Sequence, residues 1–91
     1  MKTFTITMYT DSGHGWGKVK RNVLQNLGIE DLISPYSYEM GDNVYLEEDC
    51  DLSHLRQVLS DNNVVVRYVE KHTDGDSRIR GYESFKPLPV L

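Results

Sequence analysis

The chain has 91 residues, with ten basic and 14 acidic side chains and a net charge of −4. That length suits one domain with one modest core. The acidic balance disfavours generic binding to nucleic acid, and one cysteine excludes an intramolecular disulfide. The N-terminus has neither an apolar stretch nor a small-residue cleavage site, so a secretory signal is not expected. No apolar run approaches the roughly 20 residues that span a bilayer. The chain therefore reads as cytoplasmic, with no membrane partner.

Residues 3–9 alternate, with Phe4, Ile6 and Met8 opposite Thr3, Thr5, Thr7 and Tyr9. That period predicts a half-buried strand. Residues 11–17 hold three glycines around His14 and Trp16 and read as a loop. Val19, Val23, Leu24 and Leu27 form a helical stripe that Gly28 closes. Lys20 and Arg21 in its first turn oppose the helix dipole and blur its start. Ser34-Pro35 ends this segment.

Residues 36–40 and 44–47 flank Gly41-Asp42 and predict a β-hairpin. A two-residue turn sets Tyr38 opposite Tyr45. A three-residue loop sets Met40 opposite Val44 and gives the cleaner apolar and polar faces, with Tyr45 and Glu47 outward. The second register is preferred on that ground. Leu52, Leu55, Val58 and Leu59 then form a second helical stripe, for which Asp49 and Asp51 suit capping. Residues 64–71 begin with three valines and predict a last strand. The order is βαββαβ, an α+β ferredoxin-like arrangement with a single-layer antiparallel sheet and both helices on one face. Residues 1–72 form this domain. Residues 73–91 form a tail that adds an edge strand, covers the open face or meets a partner.

The run Glu47-Glu48-Asp49-Cys50-Asp51 lacks the spacing of a calcium loop, and no zinc-type histidine spacing occurs. No metal or cofactor is expected. Cys50 sits near His54, but the adjacent carboxylates oppose a thiolate, so it reads as a small filler at the strand-to-helix junction. His14 is the residue best placed for acid-base work. Trp16 among glycines is either a core anchor or a binding hot spot, with anchoring preferred. Lys18, Lys20 and Arg21, and the pair Arg78 and Arg80, read as solvated surface rather than phosphate contacts. The tyrosines 9, 36, 38, 45 and 68 invite comparison with RNA-binding sheets, but the glycine-aromatic pattern of that module is missing.

The segments Gly13-His14-Gly15-Trp16, Ser34-Pro35-Tyr36-Ser37-Tyr38 and Tyr45-Leu46-Glu47-Glu48-Asp49-Cys50-Asp51 resemble small accessory proteins of phages and mobile elements. The resemblance spans roughly residues 8 to 56. It implies a small protein made in a bacterial host cytoplasm, and it carries no defined activity.

The leading expectation is a non-enzymatic module that docks on a host or phage protein with a basic surface and modulates or inhibits it. His14, Trp16, Tyr36, Tyr38, Tyr45, Glu47, Glu48 and Asp49 are the expected contacts. An exposed sheet face also favours a homodimer. The first alternative is a single-stranded RNA- or DNA-binding domain that uses a tyrosine-bearing sheet face. The second is a small enzyme or ligand-binding domain around His14, which requires a pocket joining the glycine loop to the Glu47–Asp51 strand end.

Overall fold

The computed structural model describes residues 2–88, so residues 89–91 of the expected tail lie outside the described residues. Its strands are β1 (Lys2–Thr10), β2 (Gly15–Lys20), β3 (Tyr38–Met40), β4 (Asn43–Glu47), β5 (Val64–His72) and β6 (Glu83–Ser84). The helices are α1 (Arg21–Asn26) and α2 (Leu52–Asp61). One sheet runs in the order β5-β1-β2-β4-β3-β6. The expected class holds: a small α+β domain with one sheet and both helices on one face, consistent with a ferredoxin-like arrangement.

Two details refine that arrangement. The sheet is mixed rather than antiparallel, because β1 and β5 run parallel along their whole length. The βαββαβ succession also starts at β2 rather than β1. From β2 through α1 the chain returns as β3, with β4 between them. From β4 through α2 it returns as β5, with β2 and β1 between them. The N-terminal strand is thus inserted into the split βαβ unit.

The glycine segment is only partly a loop. Residues 11–14 turn, but Gly15-Trp16-Gly17 is strand, and Val19 and Lys20 extend it rather than open a helix. Gly17 faces the helices. A Cβ there would lie 2.9 Å from Leu52 Cδ1 and 3.1 Å from Ile6 Cγ2, so glycine lets strand and helix close up. Arg21 opens α1 against the dipole, and Glu30 and Glu39 neutralise it at 2.8 and 2.5 Å. The helix-side core gathers Ile6, Val19, Leu24, Val44, Leu46, Leu52, Leu55, Leu59 and Phe85.

The hairpin adopts the two-residue register, against the one that the apolar and polar faces favour. Met40 pairs with Asn43 and Tyr38 with Tyr45, across a two-residue Gly41-Asp42 turn. Gly41 has φ +58°, the sign required at the first central position of a type II′ turn. The apolar-polar split misled because both faces of β4 are covered. Val44 and Leu46 meet the helices, while Tyr45 lies buried on the opposite face. Tyr36 is not in the strand; it sits exposed on the Pro35-Tyr36 turn.

Asp51 does not cap α2 with its side chain. It is fully buried and accepts hydrogen bonds from the Ser34 backbone N–H at 3.0 Å, Ser34 Oγ at 2.7 Å and Ser37 Oγ at 2.5 Å. Ser37 Oγ in turn accepts from the Glu47 N–H. The carboxylate therefore pins the turn before β3 against the end of β4.

The C-terminal segment crosses the face opposite the helices. The Thr73 N–H donates to Thr10 C=O, and Ile79, in a 3₁₀ turn (Arg78–Gly81), packs on Trp16 and Tyr45. β6 then pairs with β3, and Phe85 turns into the helix-side core. Asp11 holds this crossing. Its carboxylate accepts from Arg80 Nε at 2.6 Å and Nη2 at 2.9 Å, and from the Ser77, Gly13 and His14 N–H groups, each at 2.9 Å.

The Arg80 guanidinium, with the backbone donors behind it, holds the Asp11 carboxyl well below the usual carboxylate range. The folded state thus binds fewer protons at Asp11 than the unfolded chain, whose aspartates titrate near about 4. This contribution is complete above about pH 4 and is lost as pH falls from there toward the folded pKa. Urea unfolding of Arg80→Met and the parent should show a stability gap that narrows from pH 6 to pH 3. A gap independent of pH would contradict the linkage.

Candidate functional site

Two clefts flank the crossing segment on the sheet face opposite the helices. The first arises because β2 pairs with β4 so that Trp16 stands opposite Glu47, while β3 places Tyr38 opposite Tyr45. His14, Trp16, Tyr36, Tyr38, Glu47, Asp49, Cys50 and Arg80 line a hollow of about 400 Å³. Six of the eight expected contact residues therefore meet in one place. Glycine loop and strand end do adjoin, as the ligand-binding alternative requires.

Trp16 forms the floor and is 2% exposed, so it is an anchor that also lines the cleft. The Arg80 guanidinium lies 5.4 Å from the Trp16 ring centroid. Tyr38 meets the indole edge-on at 6.2 Å, and the His14 ring lies 6.1 Å away. Arg80 is already neutralised by Asp11, so Glu47 and Asp49 bring the wall's other charges. This composition suits a cationic or amphipathic group.

The remaining two expected contacts lie elsewhere. Tyr45 is buried beneath Ile79 and Tyr82. The Glu48 carboxylate covers Gly15 and faces a different hollow, shared with Met8, Leu52 and Arg56. Cys50 is exposed, which corrects its reading as a buried filler. Asp51 foremost, by its negative charge, raises the thiol above its ordinary pKa. Among the described residues no group of His, Cys, Asp and Glu is placed to hold a metal ion.

The second cleft, of about 580 Å³, is lined by Tyr9, Tyr45 and Tyr82 together with Lys71, Asp76, Arg78 and neighbouring backbone. Tyr45 and Tyr82 lie 5.2 Å apart, and Tyr9 meets Tyr45 edge-on at 6.0 Å. Lys71 Nζ sits 5.9 Å from the Tyr9 ring centroid. Burial, then the neighbouring Tyr82 and Tyr9, raise the Tyr45 hydroxyl pKa.

Beyond this cleft none of the described residues covers the sheet face. Register puts Thr3, Thr5 and Thr7 of β1 beside Lys18 of β2 on one side and Val65, Arg67 and Val69 of β5 on the other. Lys20 and Lys71 share that face, while Glu47 is its acidic strand residue at the far end. An overall acidic chain thus carries a basic sheet face. Sequence reasoning missed Arg67 and Lys71 here. Their signal was the alternation of β5, in which they fall out of phase with Val64 and Val66.

No family model, curated protein or solved structure matches the chain. No helix among the described residues is long and apolar enough to cross a membrane.

The thiol environment gives a direct check. Cys50 should alkylate with iodoacetamide more slowly at pH 7 than a cysteine in a short unstructured peptide, and catch up only at strongly basic pH. A faster rate than the peptide's would mean that the adjoining carboxylates do not govern the site.

Proposed function

We propose that this domain binds single-stranded RNA or DNA across the sheet face opposite its helices. The observation that carries the reading is charge segregation. Lys18, Lys20, Arg67 and Lys71 project from one face of a chain whose net charge is −4, and that face leads into the Tyr9-Tyr45-Tyr82 cleft. Basic side chains over a sheet track a phosphate backbone, and tyrosines at the margin offer stacking surfaces for bases. The threonine hydroxyls of β1 add hydrogen-bonding capacity without bulk. Tyr45 itself is too buried to stack, so Tyr9 and Tyr82, both partly exposed, take that role.

Four phosphate contacts predict that log K falls against log salt with a slope of about −3 for a single strand. Arg67→Ala should weaken binding of an oligonucleotide ten to twelve nucleotides long (~10–12, one module's footprint) and make that slope shallower by about 0.7. Tyr82→Ala should cost about 1–3 kcal/mol and leave the slope unchanged. Fluorescence anisotropy from 50 to about 200 mM salt reads both quantities. No binding at the lowest salt would remove this reading.

A second reading rests on the His14-Trp16-Tyr36-Tyr38 hollow with Glu47 and Asp49. That combination fits a lysine or arginine side chain presented by a partner protein, in line with docking on a basic host or phage surface. Aromatic walls supply desolvated area, and the carboxylates supply charge. Glu47→Lys with Asp49→Lys should then abolish capture of the partner while leaving oligonucleotide binding intact or stronger. Equal loss of both activities would mean that the two clefts do not act separately.

A further inference from the structure

Among the described residues β5 ends the sheet, and its outer edge is nine residues long. Its pairing with β1 runs without a bulge from Lys2↔Val64 to Thr10↔His72, and the strand contains no proline. Val65, Tyr68 and Val69 are 44%, 44% and 45% exposed. Long straight edges of this kind template pairing with another strand unless they are blunted.

The backbone phase of the free edge follows from one hydrogen bond. The Thr73 N–H donates to Thr10 C=O, so the odd-numbered residues of β5 point their backbone groups at β1. Val64, Val66, Tyr68, Glu70 and His72 therefore present N–H and C=O outward. A two-fold axis perpendicular to the sheet would pair two such edges antiparallel, keeping each side chain on its own face.

Charge selects among the registers. With Tyr68 on the axis, Val66 stands opposite Glu70 of the second copy, Arg67 opposite Val69 and Val65 opposite Lys71. No like charges face each other, and the strand is used along its whole length. Moving the axis to Arg67 sets two arginines opposite one another. Moving it to Val69 sets Arg67 against Lys71. Both put like charges directly across about 4.5 Å, in the closely spaced pairs.

We propose that two copies of this chain join through β5, antiparallel with Tyr68 on the two-fold axis, to form one twelve-stranded sheet. The pairing stands apart from the nucleic-acid reading. Its consequence rests on that reading: the Lys18, Arg67 and Lys71 faces of both copies become one continuous basic surface.

The test uses cysteine register scanning in a Cys50→Ser background with mild oxidation, beside sedimentation of the wild-type chain. Residues opposed on the axis have Cα atoms about 5.5 Å apart, within disulfide reach. Tyr68→Cys should cross-link into dimers, whereas Arg67→Cys and Val69→Cys should lag, since each is displaced beyond about 7 Å from its own copy. Glu70→Pro removes an outward N–H and no bond to β1, so it should preserve the circular dichroism spectrum. It should weaken dimerisation roughly tenfold or more. A wild-type monomer at all concentrations, a dimer indifferent to Glu70→Pro, or preferential cross-linking at Arg67 or Val69 would each overturn the proposal. Oligonucleotide affinity measured on Glu70→Pro separates the two claims, since the single basic face survives in that variant.

Discussion

The carboxylate of Asp11 organises the sheet face opposite the helices. It lies in the β1–β2 turn and gathers five N–H donors, two of them from Arg80, which is 69 positions away in the chain. A carboxylate that accepts a bidentate guanidinium and several backbone donors is both strongly held and geometrically specific. It ties the C-terminal segment to the β1–β2 turn, beside the packing of Ile79 and ahead of the β6–β3 pairing and the Phe85 core contact. That segment divides the face. On one side it leaves the Trp16 hollow, with Arg80 as one wall. On the other it leaves the tyrosine cleft and the open basic strands. Both sites are consequences of where Ile79 is seated.

Much of the scaffold was legible from side-chain periodicity. The alternation of Phe4, Ile6 and Met8 marks β1, and the Leu52, Leu55, Leu59 stripe marks the buried side of α2. β2 was not legible as a strand, because its glycines signal loop freedom when read locally. Gly17 is there because Leu52 and Ile6 occupy the space a Cβ would need, a reason found only in tertiary packing. The hairpin register failed for a related cause. Alternation can choose a face only when one side is wet, and both sides of β4 are covered. Asp51 carried the signature of a cap, yet it serves the Ser34-Ser37 turn, a partnership invisible to local spacing.

The Trp16 hollow was largely readable, since His14, Trp16, Tyr36, Tyr38, Glu47 and Asp49 lie on segments that a hairpin and its neighbour bring together. Arg80 was not, because it arrives from the tail. The basic face was hidden more deeply. Net charge averages over the whole surface, and an acidic total argued against phosphate. Lys18 and Lys20 are far in sequence from Arg67 and Lys71, and only the β2-β1-β5 order places them on one face. For a single-layer sheet, charge by face is the physically relevant quantity.

The most direct measurement is the backbone amide NMR spectrum of the labelled protein titrated with a short single-stranded oligonucleotide at low salt. Binding across the basic face predicts the largest shifts at Thr5, Thr7, Lys18, Arg67 and Lys71, continuing to Tyr9 and Tyr82, with α1 and α2 unaffected. Shifts confined to His14, Tyr36 and Asp49, or an unchanged spectrum, would contradict it.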